Sequence, residues 1–175
     1  MNEPASGYSG KLLIAAIFLM ALAGGLGSLI YRYVETRDAL ALWGAEAAQA
    51  IAKPDKVEAL LLEPTTAEPD LRGDGQLLKI VRTADVTRAP GFTNARNALV
   101  LDRSLDFIPD PCTPAWTHAL RLTRMGQRTT ILISLDCPRV LLHGTTRSAG
   151  IKPIVGGLRK LLDENLTDSK PSGTQ

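Results

Sequence analysis

The residues best suited to chemistry in this chain are two cysteines and two histidines at matching intervals. Cys112 precedes His118 with the same spacing by which Cys137 precedes His143. Thiolate and imidazole are the ligands of structural zinc sites, so C-x5-H-x18-C-x5-H has the composition of a four-ligand metal site. The spacing matches no standard zinc knuckle. It also allows a Cys112–Cys137 disulfide, two free buried thiols or, without a C-x-x-C motif, a redox pair.

The elements around the cysteines are predicted from alternation. Apolar and polar side chains alternate on both sides of Gly126-Gln127, which predicts a β-hairpin with its two-residue turn there. This register places Leu122 opposite Ile131, and a shift by one residue would lose the match of the apolar faces. A third strand is predicted over residues 139–144.

The predicted hairpin brings the cysteines close together. Its register places Trp116 opposite Cys137, and Cys112 is four residues before Trp116. A proline-rich loop there can fold back to the Cα separation below about 7 Å that a bridge requires. A two-residue turn at Cys137-Pro138 would point His143 away from the other three ligands. The sequence therefore favours the disulfide over the metal site.

The sequence lacks the common motifs of catalytic sites. It contains no G-x-S-x-G, no phosphate-binding P-loop, no H-E-x-x-H and no G-x-G-x-x-G after a strand. The 175 residues carry a net charge of +2 that is mixed along the chain, without the basic stripe typical of nucleic-acid binding. We therefore predict no catalytic residue, no cofactor and no nucleic-acid partner.

An apolar run near the N-terminus predicts a single membrane span. Residues 12–31 carry no charge, and about 20 apolar residues in a helix cross a hydrocarbon core of roughly 30 Å. Ala21-Leu22-Ala23 resembles a signal-peptide cleavage site, so a cleaved signal is the alternative, and a buried core helix is a third. We favour an uncleaved anchor because the apolar run continues past that site to Ile30.

The orientation of this span is predicted from two signals that disagree. Lys11 precedes the span and Arg32 and Arg37 follow it, which favours a cytoplasmic domain. A disulfide favours an oxidising compartment. We give more weight to the disulfide and predict an inner (plasma) membrane protein with a periplasmic or extracellular domain.

Small residues in the span occur at spacings that let two helices approach closely. The pairs are Ala23-x-x-x-Gly27 and Gly24-x-x-x-Ser28. They are candidate positions for packing against another membrane helix.

The predicted architecture is α+β, with an N-terminal transmembrane helix and a small, mostly antiparallel sheet that carries helices on one face. A helix is predicted after a cap at Thr93, and Ile154, Leu158, Leu161, Leu162 and Leu166 form the apolar stripe of a final helix. Gly156-Gly157 is interpreted as a close contact with the sheet. The predicted boundaries are a disordered tail at 1–11, the span at 12–31, a helical stalk at 32–53, the domain at 54–166 and a disordered tail at 167–175.

The stretch CTPAWTHALRLTRMGQRTTILISLDCPRV resembles a pattern in uncharacterised small bacterial envelope proteins. Those proteins have a cysteine and a proline before a strand, a glycine-containing hairpin turn, and a hydrophobic strand that ends near a second cysteine. The aromatic residue usually found beside the second cysteine is missing here. The resemblance implies an envelope location and no particular activity.

The function predicted from these features is a membrane-anchored envelope protein whose domain is a non-catalytic binding or assembly module. Its expected partners are the lipid bilayer and another membrane or envelope protein. An accessory single-pass subunit of a larger membrane complex is the first alternative. A metal-binding protein that uses Cys112, His118, Cys137 and His143 is the second.

Overall fold

A computed structural model describes residues 7–168 of the chain. The chain divides into two compact units, Met1–Thr36 and Arg37–Gln175. A single long helix, α1 (Gly7–Ala52), contributes to both.

The first unit consists of the N-terminal part of α1. Its side chains from residue 10 to residue 34 are exposed. The stretch Gly10–Ala52 is long and apolar enough to cross a membrane, properties that a signal sequence would share. Residues 7–11, predicted as tail, are helical because the apolar run extends as a helix into its polar flank, and residues 1–6 lie outside the described part.

The second unit begins within α1, and the Asp102 carboxylate holds that part of the helix. It accepts hydrogen bonds from the backbone N–H groups of Asp38 at 3.2 Å and Ala39 at 2.7 Å. The helix residues after Arg37 then contribute buried side chains to the core: Ala39, Trp43, Ala47, Ala48, Ala50 and Ile51. Most of the predicted stalk is thus a core element of the domain.

A kink at Gly44 interrupts α1. Gly44 has φ 75° and ψ 167°, a left-handed conformation that favours glycine. Its missing side chain also leaves room for Arg147, whose Nη1 lies 2.8 Å from the position a Cβ would take. The backbone conformation is therefore what requires glycine at this position, since the end of the flexible Arg147 side chain could move aside.

Seven antiparallel strands form the sheet of the second unit, in the order β2-β3-β1-β4-β5-β6-β7. The strands are β1 (Lys56–Pro64), β2 (Leu71–Gly73), β3 (Gln76–Asp85), β4 (His118–Arg124), β5 (Gln127–Ser134), β6 (Arg139–Leu142) and β7 (Ser148–Gly150). Helix α2 (Phe92–Leu99), a 3-10 turn (Asp102–Ser104) and helix α3 (Val155–Asp168) complete it. The predicted α+β class is confirmed.

The sheet is curled and buries apolar side chains on both faces. One face packs against all three helices, and its core includes Trp43, Leu120, Ile133 and Leu162. The other face holds a smaller cluster, made only of residues from the strands and from the segment before β4: Leu60, Leu62, Leu71, Leu78, Trp116, Ala119, Leu132 and Leu141. Because the sheet is curled, its own strands and the segment before β4 enclose this second cluster, to which no helix of residues 7–168 contributes a side chain.

The β4–β5 hairpin has the predicted faces but not the predicted register. Leu122 pairs with Thr129, not with Ile131, and the turn residues are Met125 and Gly126. Their φ angles of 48° and 79° are those of a type I′ turn, which suits the twist of a two-residue hairpin. A shift of two residues leaves every side chain on its face, so alternation could not detect it.

Two predictions about the helices are also corrected. Helix α2 starts at Phe92 after Gly91, and Thr93 is a helical residue without a capping role. Gly156 and Gly157 are exposed in the first turn of α3, and a Cβ on either would meet no atom within 4 Å. The predicted close contact with the sheet is therefore wrong. The apolar stripe of α3 from Leu158 to Leu166 is buried as predicted.

Candidate functional site

The cysteines meet at one end of the sheet. Cys112 and Cys137 have bridging geometry, with their Cα atoms 6.0 Å apart. Cys137 lies in the four-residue loop left between Ser134 and its partner Arg139. The loop therefore has four residues and not the two predicted at Cys137-Pro138. As in the first hairpin, the strand register differs from the prediction by two residues, which alternation cannot detect.

Backbone contacts hold the segment that carries Cys112. Asp106 and Gly150 exchange two backbone hydrogen bonds of 2.8 and 2.7 Å. The guanidinium of Arg139 donates a hydrogen bond of 2.9 Å to the backbone oxygen of Asp110. Lys152 adds an exposed ion pair to the Asp110 carboxylate at 3.4 Å. The bridge therefore closes a loop that is also attached through the residues just before Cys112.

The two histidines lie on opposite faces of the sheet. His118 pairs with Ile133 on the helix-covered face, and its Nδ1 is 2.9 Å from Thr117 Oγ1. His143 follows β6, its backbone N–H bonds to Thr130, and its Nε2 accepts the Arg72 N–H at 3.4 Å. Burial lowers the pKa of both imidazoles, and Arg121 adds to this for His143.

The four candidate metal ligands are therefore not brought together. Within residues 7–168, no group of three or more His, Cys, Asp or Glu side chains has an arrangement that could hold a metal ion. The cysteines pair with each other, and the sheet separates His118 from His143.

Trp116 does not face Cys137 as the predicted register requires. It lies before β4, which starts at His118, and packs in the second cluster with Leu132 and Leu141. The reason is that the segment leading into β4 is irregular, so strand alternation does not extend back to Trp116.

Trp116 lines a cavity of about 330 Å³ below the β2–β3 turn. Asp74 and Gly75 of that turn line it together with Arg139 and Leu141 of β6. The Trp116 indole nitrogen and the Arg139 Nε are buried, and neither has a hydrogen-bond partner among the described residues. No spacing in the sequence links these residues, because the curl of the sheet brings them together.

A second depression lies between α2 and α3. This groove, of about 450 Å³, is formed mainly by apolar side chains such as Ala95, Ala98, Ile154 and Leu161. Asn94 lies at its edge on α2, and Glu164 lies at its edge on α3.

The small residues predicted to pack in the membrane are exposed. Ala23, Gly24, Gly27 and Ser28 lie on the uncovered part of α1, and a Cβ on either glycine would meet nothing within 4 Å. Nothing in the first unit fills the space beside them within the described residues.

Comparison with protein-family models, with curated proteins and with solved structures finds no match to this chain.

Proposed function

We propose that the chain is a membrane-anchored protein of the bacterial envelope and that its domain is a non-catalytic binding or assembly module. One observation carries the proposal. The same helix provides an uncovered apolar segment and, after Arg37, part of the domain's core. An apolar helix with no protein around it needs a lipid environment or another membrane helix.

The cysteine pair supports a location outside the cytoplasm. Disulfides persist in oxidising compartments and are rare where thiols are kept reduced. Cys112 and Cys137 are at bridging distance, so the domain is compatible with an extracytoplasmic site. We place it on the periplasmic or outer side of the inner (plasma) membrane.

Mass spectrometry of the unreduced protein from native membranes tests the location. Free thiols are alkylated before denaturation, so that no bridge forms or exchanges during isolation. We expect a peptide pair linked through Cys112 and Cys137 and no alkylated cysteine. Recovery of two alkylated cysteines would place the domain in a reducing compartment and overturn the proposed location.

Photo-crosslinking from the groove tests the binding role. A photoreactive residue replaces Asn94, which lines the groove between α2 and α3. The matched control replaces Asn97, which is exposed on the same helix but does not line that groove. We expect a discrete protein adduct from position 94 only. Equal labelling from both positions, or from neither, would contradict a partner at this surface.

The exposed small residues of α1 favour a second candidate, an accessory subunit held in a larger complex through its span. Gly24→Leu and Gly27→Leu would then release a stoichiometric partner, while Gly25→Leu, at a glycine that belongs to neither small-residue pair, would not. Co-purification through the span alone, without the domain, would favour this candidate over the first.

A further inference from the structure

The two cysteines of the bridge are unequally accessible to solvent. Cys112 is an exposed residue, whereas Cys137 is only 6% exposed. Cys112 also lines a depression of about 250 Å³ at this end of the sheet, and Cys137 is not among the residues that line it. A thiol that approaches from solvent therefore reaches Cys112 without any change in the fold.

Thiol–disulfide exchange requires access to one sulfur of a bridge. A thiolate attacks that sulfur, the other sulfur leaves as a thiolate, and the reaction passes through a mixed disulfide, so the rate depends on which sulfur is accessible. Attack on Cys137 would first require the residues around it to move apart, because it is buried. Attack on Cys112 has no such requirement, so exchange should begin there.

The segment that carries Cys112 is also held by contacts that do not involve the sulfurs. Before Cys112, Asp106 and Gly150 exchange two backbone hydrogen bonds. After it, the Gln76 Nε2 donates a hydrogen bond of 2.8 Å to the backbone oxygen of Pro114. These contacts remain available when the bridge opens, so exchange at Cys112 does not require the domain to unfold.

We propose that Cys112 is a thiol-exchange site, the sulfur at which a two-cysteine oxidoreductase opens and forms the bridge. On opening, a thiolate of the oxidoreductase attacks Cys112 Sγ, the Cys112–Cys137 bond breaks, and Cys137 leaves as a thiolate. The second thiol of the oxidoreductase then attacks its own sulfur in the mixed disulfide and releases Cys112 as a thiolate. The oxidoreductase is thereby oxidised and the bridge is reduced.

Formation of the bridge runs through the same mixed disulfide in reverse. The Cys137 thiolate attacks the Cys112 sulfur and releases the thiolate of the oxidoreductase. The proposed function gives the bridge a location but no reaction, so the exchange site goes beyond it. Cys112 does not line the α2–α3 groove, so the site is also independent of the proposed partner surface.

Trapping of the mixed disulfide in the unchanged protein tests the site directly. The full chain is oxidised in lipid nanodiscs, exposed briefly to reduced glutathione and quenched with N-ethylmaleimide, which blocks free thiols. Mass spectrometry of the peptides then identifies the cysteine that carries glutathione. We expect glutathione on Cys112 with maleimide on Cys137, at least about ten times as often as the reverse, because access decides which sulfur is attacked.

Single-cysteine variants measure the reaction at each sulfur separately. Cys137→Ala leaves only Cys112, and Cys112→Ala leaves only Cys137. We expect oxidised glutathione to modify Cys112 at least about tenfold faster than Cys137 in the folded full chain. In concentrated urea the two rates should become similar, because unfolding exposes both thiols. This matched control shows that the fold causes the difference.

Several results would overturn the proposal. They are glutathione found equally on both cysteines or mainly on Cys137, equal rates in the two folded variants, and a chain that forms no bridge on oxidation. If a variant loses its cooperative urea transition, the trapping result decides, because it needs no substitution. Two alkylated cysteines in protein from native membranes would remove the proposed location and leave the exchange site, since trapping starts from protein oxidised in vitro.

Discussion

Gly73 shows at the residue scale how the second cluster is closed. A Cβ at this position would collide with Leu132 Cδ1 and lie 3.1 Å from Trp116 Cδ1. The backbone of β2 therefore lies directly against two buried side chains. We expect Gly73→Ala to lower the free energy of unfolding by about 1–3 kcal/mol, as overpacking does in other cores. Urea denaturation of the full chain measures it.

Gly156→Ala is the control for that substitution. Gly156 is an exposed helical residue, and a Cβ there meets nothing within 4 Å. Alanine has the higher helix propensity, so this change should be neutral or stabilise by up to about 1 kcal/mol. Equal effects of the two substitutions would show that the contact at Gly73 is unimportant.

The histidines make stability depend on pH. Burial holds the pKa of His118 and of His143 below the usual 6.5, so the folded state favours neutral imidazole. The unfolded chain then binds protons first as the pH falls. The contribution of the two neutral imidazoles to the free energy of unfolding is complete above about pH 6.5. It declines as the pH falls from there to the folded pKa values, and below them it no longer changes.

We therefore expect a lower free energy of unfolding at pH 5 than at pH 7.5, and a smaller decrease in His118→Gln. Denaturant titrations at both pH values measure it. Asp85 does not interfere, because a hydrogen bond from Thr87 lowers its pKa and its contribution is lost only below pH 3.8. A pH dependence that is the same in His118→Gln and in the unchanged protein would contradict the role given to His118.

At the element scale, the sequence predicts the faces of the strands better than their partners. Alternation correctly assigns Leu120, Ile131 and Ile133 to the helix-covered core. Pairing depends on turn geometry, and Met125-Gly126 was not distinguished from Gly126-Gln127 because only the backbone shows the two left-handed φ angles. Strand β2 was missed, although the Asp74-Gly75 dipeptide is a hairpin signal, because three residues are too few to show alternation.

The sites were predictable to different extents. The cysteines lie close together because a short loop and a hairpin end join them, and both are visible in the sequence. The cavity at Trp116 also needs the curl that brings Asp74 of the β2–β3 turn to the side of Arg139. Curl depends on the packing of the whole sheet, so no local pattern indicates it.

The bridge should stabilise the domain by restricting the unfolded chain. Its cysteines are 25 residues apart, which corresponds to about 3 kcal/mol in the chain-entropy treatment. We expect the double variant Cys112→Ala, Cys137→Ala to lose about that amount in denaturant titrations. Reduction of the unchanged protein should lower its stability similarly. No loss in either experiment would show that the backbone contacts of Asp106 and Gly150 suffice to hold the segment.

At the scale of the whole molecule, the boundary of the folding unit lies inside α1. Residues after Arg37 bury Trp43 and Ile51 in the main core, and Trp43 also bonds to Leu99. Without this segment, the apolar face of the sheet that it covers would be exposed to water. The boundary predicted from the sequence, between the stalk and residue 54, would therefore leave out part of the core.

We expect a chain that begins at Arg37 to unfold cooperatively in urea and one that begins at Asp55 to show no cooperative transition. Trp43→Ala in the full chain removes this packing without shortening the chain. It should lower the free energy of unfolding by about 3–5 kcal/mol, as large-to-small changes in cores do. Leu40→Ala is its control in the same helix, because Leu40 is 42% exposed. Cooperative unfolding from Asp55 onward would mean that the domain folds without α1, whereas its loss would show that the C-terminal part of α1 completes the core.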